Sequence, residues 1–275
     1  MQIQHNIQAI NASRNLGINN KALAKNLEKL SSGYRVNRAG DDAAGLAISE
    51  QMRSQINGLN QAATNAQDAV GLIQTAEGAL TEVHSMLQRM VTLSTQAANA
   101  TMNSTAWSNV QVEYDALVAE IDRITNYTDF NGTKPLGSEA GAKMTFQIGP
   151  SGAEVIQVDS KNLNTSASGA LKDVGTAKIN KREDANKTID VVNKAINVVS
   201  EYRAKLGAAQ NRLEHTYNSL KVTSENIQDA ESRIRDTNMP DEITSFTKNN
   251  ILLQASQSML SQANAVPQSV LSMLG

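Results

Sequence analysis

Apolar residues along this chain fall into stripes at helical spacing, separated by a central stretch where the period changes. Ile3, Ile7 and Ile10, then Leu16, Leu23, Leu27 and Leu30, follow intervals of 3, 4, 6 and 7. Such spacing lines one narrow face of a helix. Ser31-Ser32-Gly33 ends it, with the glycine free to take a left-handed cap. A polar bridge over 34–40 leads to Asp41-Asp42, either of which can cap the next helix. That helix is predicted from about Asp42 to about Ala100. Met52, Leu59, Ala66, Ile73, Leu80 and Leu87 form one seven-residue column. Ile56, Ala63, Val70 and Val91 form the companion column, interrupted by Glu77 and His84, with Leu72, Ala76, Val83 and Met86 apolar beside the interruptions. The stripe drifts because a helix of about 3.6 residues per turn carries a seven-residue repeat. A seam of this kind requires partner helices.

A turn is predicted over 102–107, then a third helix carrying Val110, Tyr114, Leu117, Ile121 and Ile124. Asn131-Gly132 and Pro135 break the helical period. Alternation at Met144, Phe146 and Ile148, and again at Val155 to Val158, predicts a β-hairpin around Gly149-Pro150-Ser151-Gly152. Residues 160–181, rich in Ser, Asn, Gly and Lys, read as an exposed loop or irregular cap. From about Ala185 to Asp236 the period returns, with Val192, Val199, Leu206, Leu213, Leu220, Ile227 and Ile234 in unbroken register. Its companion column is mixed: Ile189 and Ile196, then Arg203, Gln210 and Tyr217. A last helix after Pro240 carries Phe246, Leu253, Leu260 and Ala263 on one face. Pro267 is expected to bend or interrupt it before Val270, Leu271 and Leu274.

Composition sharpens this picture. Only one Trp and three Phe occur among 275 residues, so the core is expected to be close-packed helices of Ala, Leu, Ile and Val. The chain has no cysteine, which rules out disulfides and thiolate metal sites. A net charge of −2 demands neither nucleic acid nor an anionic membrane. No apolar run approaches the roughly 20 residues of a membrane span. The first residues show no basic segment followed by an apolar one, so no ordinary secretory signal is read there. His5, His84 and His215 are far apart, none with a second ligand one helical turn away, and no HExxH is present. No nucleophile, base or phosphate-cradling loop converges. The expectation is a protein with no catalytic or metal site and no cofactor.

The two ends differ in charge. The first forty residues carry Arg14, Lys21, Lys25, Lys29, Arg35 and Arg38 against Glu28. The last forty carry Asp236, Asp241 and Glu242 against Lys248. Isolated amphipathic helices are marginal in water. The ends are therefore expected to pair with each other and with other copies of the chain.

Longer motifs lead to a family. Leu27-Glu-Lys-Leu-Ser-Ser-Gly-Tyr-Arg-Val-Asn-Arg-Ala-Gly-Asp-Asp-Ala-Ala-Gly-Leu-Ala-Ile-Ser49 and Leu72-Ile-Gln-Thr-Ala-Glu-Gly-Ala-Leu80 resemble the N-terminal signature of bacterial flagellins. Arg203-Ala-Lys-Leu-Gly-Ala-Ala-Gln-Asn-Arg-Leu-Glu214, Ala230-Glu-Ser-Arg-Ile-Arg-Asp236 and Phe246-Thr-Lys-Asn-Asn-Ile-Leu-Leu-Gln-Ala-Ser-Gln257 resemble the C-terminal one. The match is to a Firmicutes-like member with a minimal central variable region, and only residues 133–180 match poorly. The resemblance implies a mainly α fold, a long coiled-coil-like helical bundle formed by both chain ends, with a small central β-hairpin region. Residues 1–40 and 236–275 would form the inner filament core. Residues 41–130 and 183–235 would form the surrounding bundle, and 131–182 the hairpin and variable loop.

The resemblance further implies a self-assembling filament subunit for motility, exported through the flagellar type III apparatus to an extracellular filament. Assembly contacts map onto Ile3, Ile7, Ile10, Leu23, Leu27, Leu30, Phe246, Leu253, Leu260, Val270 and Leu274. A dedicated export chaperone would bind Phe246, Ile251, Leu252, Leu253, Met259, Leu260 and Leu271, and filament cap and hook-junction proteins would be neighbours. Family members are also ligands of Toll-like receptor 5, and the matching positions are Gln88, Arg89, Leu93 and Glu113. Val91-Thr92 stand where well-recognised members carry Arg-Glu, which implies a weak or moderate ligand. Two rival classes fit less well. A hook–filament junction protein would match the signatures only loosely, and a signalling receptor's helical hairpin would need a membrane span.

Overall fold

The computed structural model of the chain describes residues 6–137, 143–166 and 169–274, with side chains to residue 266. Its helices are α1 (Ile7–Ser32), α2 (Ala43–Ala97), α3 (Ser104–Tyr127), α4 (Lys172–Thr176), α5 (Arg182–Arg235) and α6 (Met239–Leu274). The strands β1 (Lys143–Gln147) and β2 (Val155–Asp159) lie between α3 and α4. The mainly α class with a central hairpin is as the periodicity predicts. Two compact units result, one from the residues up to Ile56 with those from Glu225 on, the other from Asn57–Ser224. Both α2 and α5 contribute to each unit.

In the second unit, α2 and α5 run antiparallel, since Asn60 meets Ser224 and Glu77 meets Arg203. The α3 helix doubles back on α2: the Trp107 indole donates to the Ala97 carbonyl at 2.9 Å, and Arg89 meets Glu113. That indole bond satisfies a carbonyl at the C-terminus of α2. The α3 helix begins earlier than the predicted turn allows. Asn103 accepts from the Ala106 N–H at 2.8 Å and caps it, so Trp107 lies inside the helix.

The core contains the predicted columns Leu59 to Leu87 and Val192 to Leu213, all buried. Of the expected companion columns, Ala63 is buried and Val70, Val91 and Ile196 pack at the edge of the core, while the most buried positions lie one residue earlier. They are Ala62, Ala69, Ala76, Val83, Met90 and Ala97 on α2, and Thr188, Ala195, Tyr202 and Ala209 on α5. Glu77 and Arg203, both of which interrupt the predicted columns, instead pair with each other at 3.4 Å at the edge of the seam. A polar pair there penalises registers in which either charge would be left alone.

Strands β1 and β2 are antiparallel, with Lys143 opposite Asp159 and Gln147 opposite Val155. Ile156 and Val158 point into the core. Before the hairpin, Asn131 and Gly132 both take positive φ, 51° and 83°, between the bridged Phe130 and Thr133. This is the backbone sign that a two-residue primed turn demands.

Of the two forms expected for 160–181, exposed loop or irregular cap, the described residues of the segment fit the second. Leu163, Leu171, Val174 and Ile179 are each 0–1% exposed. The segment is stitched down by side chains from the helices. Asp122 accepts from both the N–H and the hydroxyl of Thr165 at 2.6 Å. The Tyr114 hydroxyl donates to the Val174 carbonyl at 3.1 Å, and the Ser160 hydroxyl and Tyr202 phenol both donate to the Pro135 carbonyl. Four apolar residues among many polar ones suffice, because the polar groups find partners on the bundle. Asp122→Ala leaves both Thr165 donors without their acceptor. It is expected to destabilise this unit by about 2 kcal/mol, read as a lower urea midpoint with an unchanged slope.

Candidate assembly surface

The first unit is built on the pairing of α1 with α6. Gly33, at φ 74°, closes α1 with its N–H on the Lys29 carbonyl. Asp42, not Asp41, caps α2 by accepting from the Gly45 N–H at 2.9 Å. Asp41 instead takes the Lys25 ammonium at 2.8 Å, and that ammonium, followed by the Arg38 N–H, holds its carboxyl below the usual range. Residues 33–37 then meet 234–237. The Arg35 N–H donates to the Arg235 carbonyl at 2.6 Å, and the Thr237 N–H to the Gly33 carbonyl at 2.9 Å. The Arg235 guanidinium lies 4.7 Å from the centre of the Tyr34 ring and 2.8 Å from Glu50, whose carboxyl it holds low. No sequence pattern signals this clamp, because each contact joins residues about 185 to 200 positions apart.

The two terminal helices run antiparallel on polar rungs. Asn6 donates to the Ala263 carbonyl at 2.7 Å, Asn19 to the Ser256 hydroxyl at 2.7 Å, and Lys29 faces Glu242 at 3.7 Å. Leu16, Leu23 and Leu30 on α1, and Phe246, Leu253 and Leu260 on α6, are half-buried in this pair. Other apolar residues remain outside it. Exposure is 57% at Ile7, 50% at Ile10, 50% at Leu27, 61% at Ile251, 40% at Leu252 and 67% at Met259. The stripes assigned to assembly therefore divide into an inner set that closes the hairpin and an outer set on its surface. Ile18 and Ile243 belong to the outer set and were missed. Ile18 sits out of phase with its neighbours' sevenfold column, which hid it. Of the remaining assembly and chaperone positions, Ile3 lies outside the described residues, as do the side chains of Val270, Leu271 and Leu274.

The α6 helix is assigned as one element to Leu274, so Pro267 does not interrupt it. A proline removes one N–H from the ladder and leaves the carbonyl four residues earlier without its usual donor. Here that carbonyl belongs to Ala263, and the Asn6 amide supplies the donor.

In the second unit the residues assigned to receptor contact separate. Arg89 and Glu113 are about half-exposed and bonded to each other at 2.7–2.9 Å, and Gln88 lies 3.0 Å from His84 on the exposed side of α2. Leu93 does not share that surface. It is 1% exposed and packs in the core, because it lies four residues beyond Arg89 on a stripe that has rotated inward. Among the described residues no group of three His, Asp or Glu is placed to hold a metal ion, and no helix is long and apolar enough to cross a membrane.

These features define a class: a helical-bundle protein whose chain ends form a paired hairpin with an unsatisfied apolar outer surface. The model of the bacterial flagellin N-terminal helical region matches residues 3–139, and that of the C-terminal helical region matches 189–274. The chain is 50% identical to a flagellin of Bacillus subtilis (strain 168) and 50% identical to one of Halalkalibacterium halodurans, in each case over all of both chains. It is 47% identical to a flagellar filament 33 kDa core protein of Treponema phagedenis, again over all of both. Among solved structures, a Bacillus cereus flagellin aligns at 31% identity and a TM-score of 0.50, covering 57% of this chain and 88% of that one. A hook-associated protein of Vibrio parahaemolyticus shares the fold at 11% identity and a TM-score of 0.58, covering 71% of this chain and all of that one. The chain belongs to the bacterial flagellin family.

Proposed function

We propose that the chain is a structural subunit that polymerises with copies of itself into the extracellular flagellar filament. The observation that carries this is the outer apolar set on the α1–α6 pair. Eight named side chains there are 40% or more exposed, and covering them stabilises by about 25 cal/mol for each Å² of apolar surface removed from water. Neighbouring copies provide that cover. In this reading residues 1–40 and 236–275 form the inner core, 41–130 and 183–235 the surrounding bundle, and 131–182 the hairpin region. The lone hairpin is marginal, so its ordering is completed as a subunit joins the growing end. Purified protein seeded with filament fragments should grow long helical filaments, visible by negative stain and sedimentation. Protein that stays monomeric on seeds overturns the reading and favours a junction protein.

Delivery is through the flagellar type III apparatus. An export chaperone covers Phe246, Ile251, Leu252, Leu253, Met259, Leu260 and Leu271 beforehand, and cap and hook-junction proteins are the neighbours at either end of the filament. The exposure of Ile251, Leu252 and Met259 supports a partner on α6 before assembly.

Recognition by Toll-like receptor 5 is weak to moderate in this proposal and uses Gln88, Arg89 and Glu113, with Leu93 supporting the face from beneath. Thr92 is exposed and Val91 half-buried, so two charges expected of strong ligands are missing from the surface. The double variant Val91→Arg, Thr92→Glu is expected to raise receptor signalling by about tenfold in a reporter-cell dose response. No change in potency would remove this face from the receptor contact.

A further inference from the structure

We propose that Asn6 is a latch that makes the helical C-terminal tail conditional on the docking of α1. The inference rests on the assembly reading only in where the latch is used. One amide does two jobs. Its oxygen accepts from the Ala9 N–H at 3.1 Å and caps the start of α1, while its nitrogen donates to the Ala263 carbonyl at 2.7 Å. The second bond fills the vacancy that Pro267 leaves in the ladder of α6, since residue 267 has no N–H to give. The first turn of α1 holds no acidic residue and the last turn of α6 no basic one. The next cross-helix rung is Asn19 with Ser256, a full two turns along α6.

The latch thus joins two events. With α1 docked, the carbonyl ahead of the proline is satisfied and α6 continues to Leu274. With α1 undocked, that carbonyl faces solvent or nothing, and the helix loses its reason to continue past Pro267. Asn differs from Asp in offering a donor as well as an acceptor, and from Ser in carrying the two on separate atoms, so that one side chain reaches both partners. Asp or Ser caps α1 equally well, but Asp has no hydrogen to give when ionised.

Four chains test this: the wild type, Asn6→Asp, Pro267→Ala and the double variant. Amide hydrogen exchange over residues 268–274 is followed in the soluble chain and in filaments. In whichever form protects the wild-type tail, Asn6→Asp should lower protection by about tenfold. In the Pro267→Ala background, where residue 267 regains its N–H, the same change should cost less than about twofold. A residue that merely capped α1 would show no loss in Asn6→Asp. An equal loss in both backgrounds, no loss in either, or a wild-type tail unprotected in both forms overturns the latch. A wild type that fails to grow on seeds sinks the filament reading instead, and the exchange data on the soluble chain then decide the latch alone.

Discussion

Leu253→Asp and Leu260→Asp should each abolish growth on filament seeds while leaving the Asn57–Ser224 unit folded. Both leucines are half-buried between α1 and α6, in the same column as Phe246 and opposite the Leu16, Leu23 and Leu30 side of α1. The α1 cations at that level, Arg14 and Lys21, are solvent-exposed. Lys29, the α1 cation paired across to α6, is taken by Glu242, and Lys248 is the one cation in the α6 sequence. Burying an unpaired charge costs several kcal/mol, more than a marginal helix pair can offset. The assay is sedimentation after seeding, with far-UV circular dichroism and urea unfolding as the control on the second unit. Wild-type filament yield from either variant would show that the column is not buried in the polymer. Loss of the urea transition as well would mean the fold, not the interface, had been broken. Asn19→Leu gives a useful contrast, because it adds apolar area at a rung and should strengthen pairing while loosening its register.

The second large effect is alkaline unfolding of the Asn57–Ser224 unit. Tyr114 and Tyr202 are both nearly inaccessible, and their hydroxyls are held on the Val174 and Pro135 carbonyls. Burial pushes the Tyr202 phenol up to about 12 and raises Tyr114 further. Both ionise near pH 10 once the chain unfolds. Below pH 10 both states hold the protons and stability is intact. Between pH 10 and 12 the unfolded chain releases protons that the folded chain retains, so stability falls as pH rises. Two groups over two pH units withdraw on the order of 4 kcal/mol, against a typical total of about 5–15 kcal/mol. Tyrosinate absorbance and helix content followed across this range should show the two buried phenols ionising together with the loss of helix. Tyr202→Phe should cost about 1 kcal/mol at neutral pH yet flatten the decline above pH 10. An unchanged slope in that variant would count against Tyr202 as one of the responsible groups.

Much of the fold was legible because large apolar residues at sevenfold spacing announce themselves. The columns through Leu59 and Val192 could be read directly, as could the hairpin alternation and the Gly33 cap. The most buried companion positions lie one residue earlier than expected for a physical reason. Ala62, Ala69, Ala195 and Ala209 have little bulk to mark a face, so Val70, Ile189 and Ile196 beside them carry the stronger apolar signal. Composition left segment 160–181 open between an exposed loop and a packed cap because it measures average polarity, whereas burial there depends on four apolar residues and on partners such as Asp122 that are distant in sequence. The terminal helices were legible, but an apolar stripe does not reveal which of its members face the sister helix. That required the rungs at Asn6, Asn19 and Lys29. Leu93 shows the same limit in reverse, since a motif position can be matched while its side chain points inward.

The indole of Trp107, bonded to the Ala97 carbonyl, is the chain's one tryptophan, and it lies wholly within the second unit. Nature has in effect fitted the molecule with a fluorophore that watches one half and ignores the other. Ordering of the terminal helices during polymerisation should leave its emission wavelength where it was. Base-induced collapse of the bundle should shift that emission to the red. A single cuvette can therefore tell assembly from denaturation without any added label.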